Sequence, residues 1–477
     1  MNWLWTSDAL VEAMDGRPVG TMPDGVTGIS IDSRTLKPGE AFFAIKGESM
    51  DGHDFLTAAI KAGAGVLVVA ESRLAAFGRL TSPMIVVPDV LAALEKLGVA
   101  ARARSRAKIV AITGSVGKTS TKEALRRVLS SVGKVHASVA SFNNHWGVPL
   151  TLARMPEDCD YAIFEIGMNH PGEIRPLAKM VRPHVAIITL IAPAHLGFFR
   201  NLDEIAQAKA EIFEGLEPGG AALLNRDDPR TKLLNKLARA AGVEHVYGYG
   251  EAARATFRLV RCVLHADHST ITAKIGGQEL VARVGAPGRH MVQNALAVLG
   301  AAHLVGADVA RAALALCDIS AEAGRGRQHV LRIGDEGTIT LIDESYNANP
   351  VSVRAALELL KETPVAEGGR RVAVLGDMLE LGGHAEKLHA GLATPVVESG
   401  ADPVLLAGPH MASLAKALPA DMKVMLEPTA EALKPVLLKT LRPGDVVMVK
   451  SSKGIGFSRL VEALLQKFPA IAGKDET

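Results

Sequence analysis

A chain of 477 residues exceeds what one compact core fills, so two to four domains are expected. Its 53 lysines and arginines against 51 acidic residues leave a formal net charge of +2, which gives no electrostatic reason for a nucleic acid partner, so an anionic ligand must be met locally. Cys159, Cys262 and Cys317 lie far apart without C-x-x-C spacing, which argues against a disulfide framework or a zinc site and suits a reducing cytoplasm.

The opening MNWLWTSDALVEAMDG has acids and no basic leader, and no apolar run approaches the roughly 18 residues that span a bilayer. A soluble cytoplasmic protein without membrane insertion is expected. Residues 1–105 then read as a small α/β module: GISIDSRTLKPGEAFFAIKG, the helix-like DFLTAAIKAGA and the buried-strand run GVLVVA. The arginine-rich AARARSRAK that follows VLAALEKLGV marks the exit of a connecting helix into a new domain.

Over 106–324 the apolar strands KIVAITG, DYAIFEIG, HVAIITLIAP and GGAALLN alternate with amphipathic helices, which predicts a parallel sheet with crossover helices. The stretch ATFRLVRCVLHADHSTITAKIGGQELVARVG alternates as antiparallel strands do, so this central sheet is expected to be mixed at one edge. Residues 325–477 start a second series: the hairpin HVLRIGDEGTITLID, then RRVAVLGDM, PVLLAG, VMLEP and GDVVMVKSS separated by helices. The fold class is thus α/β in three domains: the small module, a P-loop mononucleotide-binding sheet, and a Rossmann-like doubly wound unit.

The chemistry begins at AITGSVGKTSTKEAL. Gly114 and Gly117 let the backbone wrap closely around phosphate oxygens, with Ser115 and Val116 between them. Lys118 supplies a point charge, and the following helix, starting through Thr119 and Ser120, offers free N–H groups. The standard P-loop G-x-x-x-x-G-K-[ST] would need a glycine where Ile112 stands, so this loop is shortened. Thr119 is placed to hold Mg2+. Glu165 ends an otherwise apolar strand, where ligands of open α/β sheets gather, and a carboxylate beside a P-loop suits a metal. His195 falls at the same sheet edge and takes a metal or phosphate role.

Lys209, in NLDEIAQAKAEIFEGL, reads by pattern alone as a solvated lysine. Asn294, among alanines and leucines, is either a buried structural amide or one facing a purine. Asp343, Asn347 and Asn349 cluster before a proline-initiated helix, and capping accounts for one of them, so a site facing the middle domain is expected. Lys450 and Lys453 close the last strand beside a Gly-rich loop, suited to an anion.

Taken together, TGSVGKTSTKE, SFNNHWGVPLTL, FEIGMNHPGEI, DESYNANPVS and VLGDMLELG resemble the Mur ligases, the ATP-dependent amide ligases of bacterial peptidoglycan precursor synthesis, over the whole chain. Within that family the pieces are most similar to the member that adds D-alanyl-D-alanine to UDP-N-acetylmuramoyl-tripeptide. The resemblance implies that Lys118 contacts nucleotide phosphates, that Thr119 and Glu165 organise one Mg2+, and that His195 belongs to a second. Lys209 matches a lysine that relatives carbamylate. Asn294 matches an adenine-facing asparagine, and Arg327 and Asp343 match positions near the phosphates and ribose of ATP. Ser33, Arg34, Lys46 and Gly47 resemble the uridine-nucleotide pocket, and Asn143 and Asn144 the approach to the muramoyl peptide. A monomer is expected. Three rivals remain at this point: another amino-acid-adding Mur ligase, against whose diaminopimelate-adding form the absence of a DNPR-like motif argues; a folylpolyglutamate-synthase-like ligase, against which the module before Lys108 argues; and a nucleotide-dependent switch, which would leave Glu165, His195 and Lys209 unexplained.

Overall fold

The computed structural model describes residues 3–77, 81–139, 141–334 and 337–471. Strands Arg17–Val19, Met84–Val87, Val66–Ala70, Ala41–Phe43 and Ile29–Ser30 form the first five-stranded sheet in that spatial order, with Arg17–Val19 antiparallel and the rest parallel. A short antiparallel pair, Trp5–Thr6 with Gly25–Val26, sits beside it.

The central nine-stranded sheet runs from the edge strand Val135–Ala137 through Tyr161–Glu165, Lys108–Thr113, Val185–Ile188, Ala221–Asn225 and His245–Gly250, all parallel. Phe257–Leu264 continues parallel, and Ser269–Ile275 and Gln278–Val284 then return antiparallel, the mixed edge expected from the sequence. The middle strands are apolar throughout because both faces are covered: Val110 and Ile112 enter one core, Ile109 and Ala111 the other. In the third sheet Arg327–Ile333 pairs antiparallel with Gly337–Glu344. Val446–Lys450, Arg371–Gly376, Ala401–Ala407 and Val424–Glu427 follow in parallel. The hairpin is as expected, although its turn residues Asp335 and Glu336 lie outside the described residues.

Helix Val90–Arg104 ties the first sheet to the second. Its buried Leu94, Leu97 and Ala101 share a core with Leu150 and Ala153 of helix Gly147–Ala153. The Trp5 indole N–H donates to the Ala153 carbonyl at 2.9 Å, Arg104 stacks 3.4 Å above the Trp5 ring, and Arg154 Nε donates to the Ile29 carbonyl at 2.7 Å. Arg102 donates to the carbonyls of Val181 and Arg182 and pairs with Glu217 at 2.8 Å. The buried Arg102, satisfied by two carbonyls and a carboxylate, and the half-buried Arg154 tie this joint.

Helix Leu202–Ala210 passes directly into the 3-10 turn Glu211–Gly215, which packs on helix Ile174–Val181. A Cβ on Gly215 would stand 2.2 Å from the carbonyl carbon of Ala178. Gly215→Ala should therefore destabilise the protein by about 1–3 kcal/mol, seen as a lower thermal midpoint by calorimetry.

Candidate active site

The carboxyl ends of the three adjacent strands Tyr161–Glu165, Lys108–Thr113 and Val185–Ile188 open into a cavity of about 680 Å3 that the third sheet covers from the other side. Its floor is the shortened loop. Gly114 has a φ of +149° and Gly117 a φ of +87°, both outside what side chains allow. The loop packs so tightly that a Cβ on Gly114 would lie 1.9 Å from the Thr189 hydroxyl, which donates to the Val116 carbonyl at 2.6 Å. Gly117 caps the amphipathic helix Lys118–Ser130, whose first N–H groups face the cavity with Ser115, Val116, Lys118, Thr119 and Ser120.

Lys118 bends back over the loop and donates to the Gly114 carbonyl at 2.6 Å. Burial pushes its ammonium below the ordinary lysine value, opposed by the nearby Glu165. Glu165 is 1% exposed, and both its oxygens are engaged. Oε2 accepts from the Thr119 hydroxyl at 2.9 Å and Oε1 from the Asn143 amide at 2.7 Å. A hydroxyl and a carboxylate held together at a P-loop are the hard oxygen donors that Mg2+ takes. His195 lines the same cavity, its Nδ1 2.5 Å from Oε2 of Glu380 without the alignment of a hydrogen bond.

Lys209 is not the solvated lysine its helical pattern suggests. It is 1% exposed, beneath the cavity rather than in its lining, because the helix buries Ile205, Ala206, Ala208 and Lys209 together. Burial pushes its ammonium well below the ordinary value, and the positive charge of Lys118 adds to the effect.

Asn294 lies against the loop, its Oδ1 2.9 Å from where a Gly117 Cβ would be, and it faces the cavity instead of serving as a core amide. Asn347 and Asn349 arrive from the third sheet. Asn349 is also the capping residue of helix Pro350–Glu362, accepting from Ser352 N–H at 2.9 Å. Asn143 lines the cavity, whereas Asn144 turns away to accept from Gly147 N–H at 2.9 Å.

Two expected residues are displaced from the cavity by neighbours. Arg327 already belongs to the edge strand and is exposed, while Arg325, on a turn between Gly324 (φ +76°) and Gly326 (φ +97°), lines the cavity. Asp343 is 5% exposed and holds that turn: its carboxylate accepts from the N–H of Gly324 and from Ser345. Its neighbour Glu344, on the opposite face of the strand, lines the cavity and pairs with Lys450 at 2.8 Å.

His290, Gln293, Tyr346 and Glu380 also line the cavity and were not anticipated. His290 precedes Asn294 by one helical turn, a spacing visible in the sequence. Burial pushes its imidazole below the usual value, favouring the neutral ring. Tyr346 carries Arg325 4.1 Å from its ring centre and donates to the Ser141 hydroxyl at 3.0 Å, joining third sheet to second.

Ser33, Arg34, Lys46 and Gly47 are apart from this cavity. They follow the adjacent parallel strands Ile29–Ser30 and Ala41–Phe43, so their loops share one sheet edge. Arg34 is exposed and pairs with Asp32 at 2.6 Å. Gly114→Ala should leave the fold intact but weaken nucleotide binding on the order of tenfold, because the loop must give way to Thr189; calorimetric titration with a non-hydrolysable ATP analogue measures it.

Comparison with known proteins places this arrangement. Profiles described as "Mur ligase family, catalytic domain", "Mur ligase middle domain" and "Mur ligase, glutamate ligase domain" match residues 25–135, 112–302 and 326–453. The chain is 32% identical over 434 residues to the UDP-N-acetylmuramoyl-tripeptide--D-alanyl-D-alanine ligase of Rickettsia prowazekii, covering 91% of this chain and 94% of that one. It is 34% identical over 441 residues to the Escherichia coli protein of the same name, covering 91% and 93%. The crystal structure of MurF from Acinetobacter baumannii superposes with a TM-score of 0.84 at 29% identity, over 97% of this chain and 99% of that one. MurF ligase from Thermotoga maritima in complex with ADP shares the fold at a TM-score of 0.75 and 24% identity, over 92% and 97%. With two relatives above 30% identity along nearly its whole length and all three profiles in order, the chain belongs to the Mur ligase family.

Proposed function

We propose that this protein is an ATP-dependent amide ligase that joins D-alanyl-D-alanine to UDP-N-acetylmuramoyl-tripeptide. The observation that carries the reading is one cavity built from two sheets: the phosphate loop, Thr119 and Glu165 from the second, and Arg325, Glu344, Asn347 and Lys450 from the third. It is supported by relatives from Rickettsia prowazekii, Escherichia coli and Bacillus subtilis, matched over more than nine-tenths of the chain, that carry the name of this activity.

The tripeptide's terminal carboxylate attacks the γ-phosphorus of ATP, forming a C–O–P bond as the bond to the β-phosphate oxygen breaks and ADP leaves. The dipeptide amine then attacks the carbonyl carbon, loses a proton, and expels phosphate to leave an amide. Both steps bring anions together, so their barrier is electrostatic. Lys118 and the N–H groups of helix Lys118–Ser130 face the transferring phosphate. Asn294 and the neutral His290 face the base and ribose side. Lys450, fixed by Glu344 and the Asn347 carbonyl, sets the third sheet's edge of the cavity. Ser33, Arg34, Lys46 and Gly47 hold the uridine nucleotide at the first sheet's edge, and Asn143 stands where the peptide enters, with Asn144 beside it holding the start of helix Gly147–Ala153.

Thr119 and Glu165 fit one Mg2+, and His195, whose Nδ1 faces Glu380, would offer its other ring nitrogen to a second cation. Bound there, the ions would neutralise charge on the phosphates. Lys209 fits carbamylation: its lowered pKa supplies the free amine that attacks CO2 with loss of a proton, and the charge of Lys118 favours the anion formed. The cavity is completed within one chain, which supports action as a monomer. Among the described residues no helix is long and apolar enough to cross a membrane, and the three cysteines are unpaired, in keeping with the cytoplasm.

Phosphate release from ATP should require both UDP-N-acetylmuramoyl-tripeptide and D-alanyl-D-alanine; release without either overturns the reading. Lys118→Ala should lose turnover by roughly 10^2–10^3-fold while binding the UDP substrate unchanged in fluorescence titration. Removing CO2 should lower activity and bicarbonate restore it, and 13C-bicarbonate should give a carbamate resonance in wild type that is missing in Lys209→Arg.

A further inference from the structure

Two contacts across the cleft meet in one residue the mechanism does not use. Glu380 belongs to the loop after strand Arg371–Gly376 of the third sheet. Its Oε2 is 2.5 Å from His195 Nδ1, and its carbonyl accepts a 2.8 Å hydrogen bond from the N–H of Gly197. Both loops are held in conformations their residues do not favour alone: His195 has a φ of +60° and Glu380 of +62°. Gly382 (φ +55°) completes the contact, since a Cβ there would stand 2.9 Å from the Gly197 Cα.

The loop carrying Glu380 is stiff on its own side. Asp377 accepts from the N–H groups of His410 and Met411, Met378 N–H donates to His389, and Leu379 N–H donates to the Ser452 hydroxyl. Glu380 is therefore delivered by the body of the third unit. An exposed ion pair alone contributes little. Here it coincides with a backbone hydrogen bond, a close glycine contact and two strained residues at the rim of the cavity.

We propose that Glu380 is a positioning residue, the latch by which the third unit closes on the second and sets the 195–197 turn against the cavity. The inference rests on the functional reading above only in naming the reaction that closure serves. Wild-type full-length protein, Glu380→Gln and Gly382→Ala are compared by small-angle scattering with magnesium and a non-hydrolysable ATP analogue, by thermal melting, and by steady-state kinetics. Glu380→Gln is expected to melt as the wild type does and Gly382→Ala somewhat lower because of its positive φ, and both to keep a larger radius of gyration under these conditions and to lose on the order of tenfold in kcat/KM. Compaction equal to wild type in both variants overturns the latch, whatever the kinetics. Loss of compaction in variants of a protein whose phosphate release ignores the dipeptide would keep the latch and remove the functional reading.

Discussion

The site depends on the register of three parallel strands. Ile112 lies beside Glu165 on one side and Ile187 on the other, so the loop after Thr113, the carboxylate of Glu165 and the chain leading to His195 emerge at one level. The close approach of Gly114 to Thr189 then fixes how far the loop can rise from the sheet. Asn294 is placed against that loop by contact with Gly117, whereas Asn143 is held by Glu165 and Arg325 by a turn anchored to Asp343 of the third sheet. A glycine at position 112 would lengthen the mobile part of the loop at the expense of a buried strand residue.

Lysines give the site its electrostatic character. Lys209 is buried and Lys118 half-buried, with desolvation opposing the charge of each, and Glu165 is the nearby anion that favours a charged Lys118. Lys450 is compensated by Glu344. The basic character of the site is thus set locally by burial and pairing and not by the formal net charge of +2. An arriving polyphosphate brings anions beside Lys118 and favours its charged form, so its binding is linked to stability through that gain.

Much of this was legible in the sequence. Continuous apolar runs ending in glycine marked the parallel strands, alternation marked the antiparallel edge, and glycine, lysine and threonine between strand and helix marked the phosphate loop. What pattern alone does not carry is geometry. Asp343 and Glu344 are neighbours on a strand, so a choice of one over the other is a choice of face. Arg325 and Arg327 straddle the point where a glycine turn becomes a strand. The burial of Lys209 depends on which side of its helix meets the sheet, and its polar neighbours do not reveal that. Glu380 gave no local signal because its partner is far away in the chain, whereas His290 could have been found from its spacing to Asn294.

The joint between the first and second sheets has a consequence for selectivity. Trp5, Arg102 and Arg154 bond the two through backbone carbonyls, so the loops at 33–47 and the phosphate loop are tied into one frame. Under the proposed function, a substrate anchored by its uridine end at the first must present its carboxylate at the second. The frame then works as a caliper: a peptide stem one residue shorter or longer carries its carboxylate past or short of the γ-phosphate, and the length of the chain is read without any contact to its side chains.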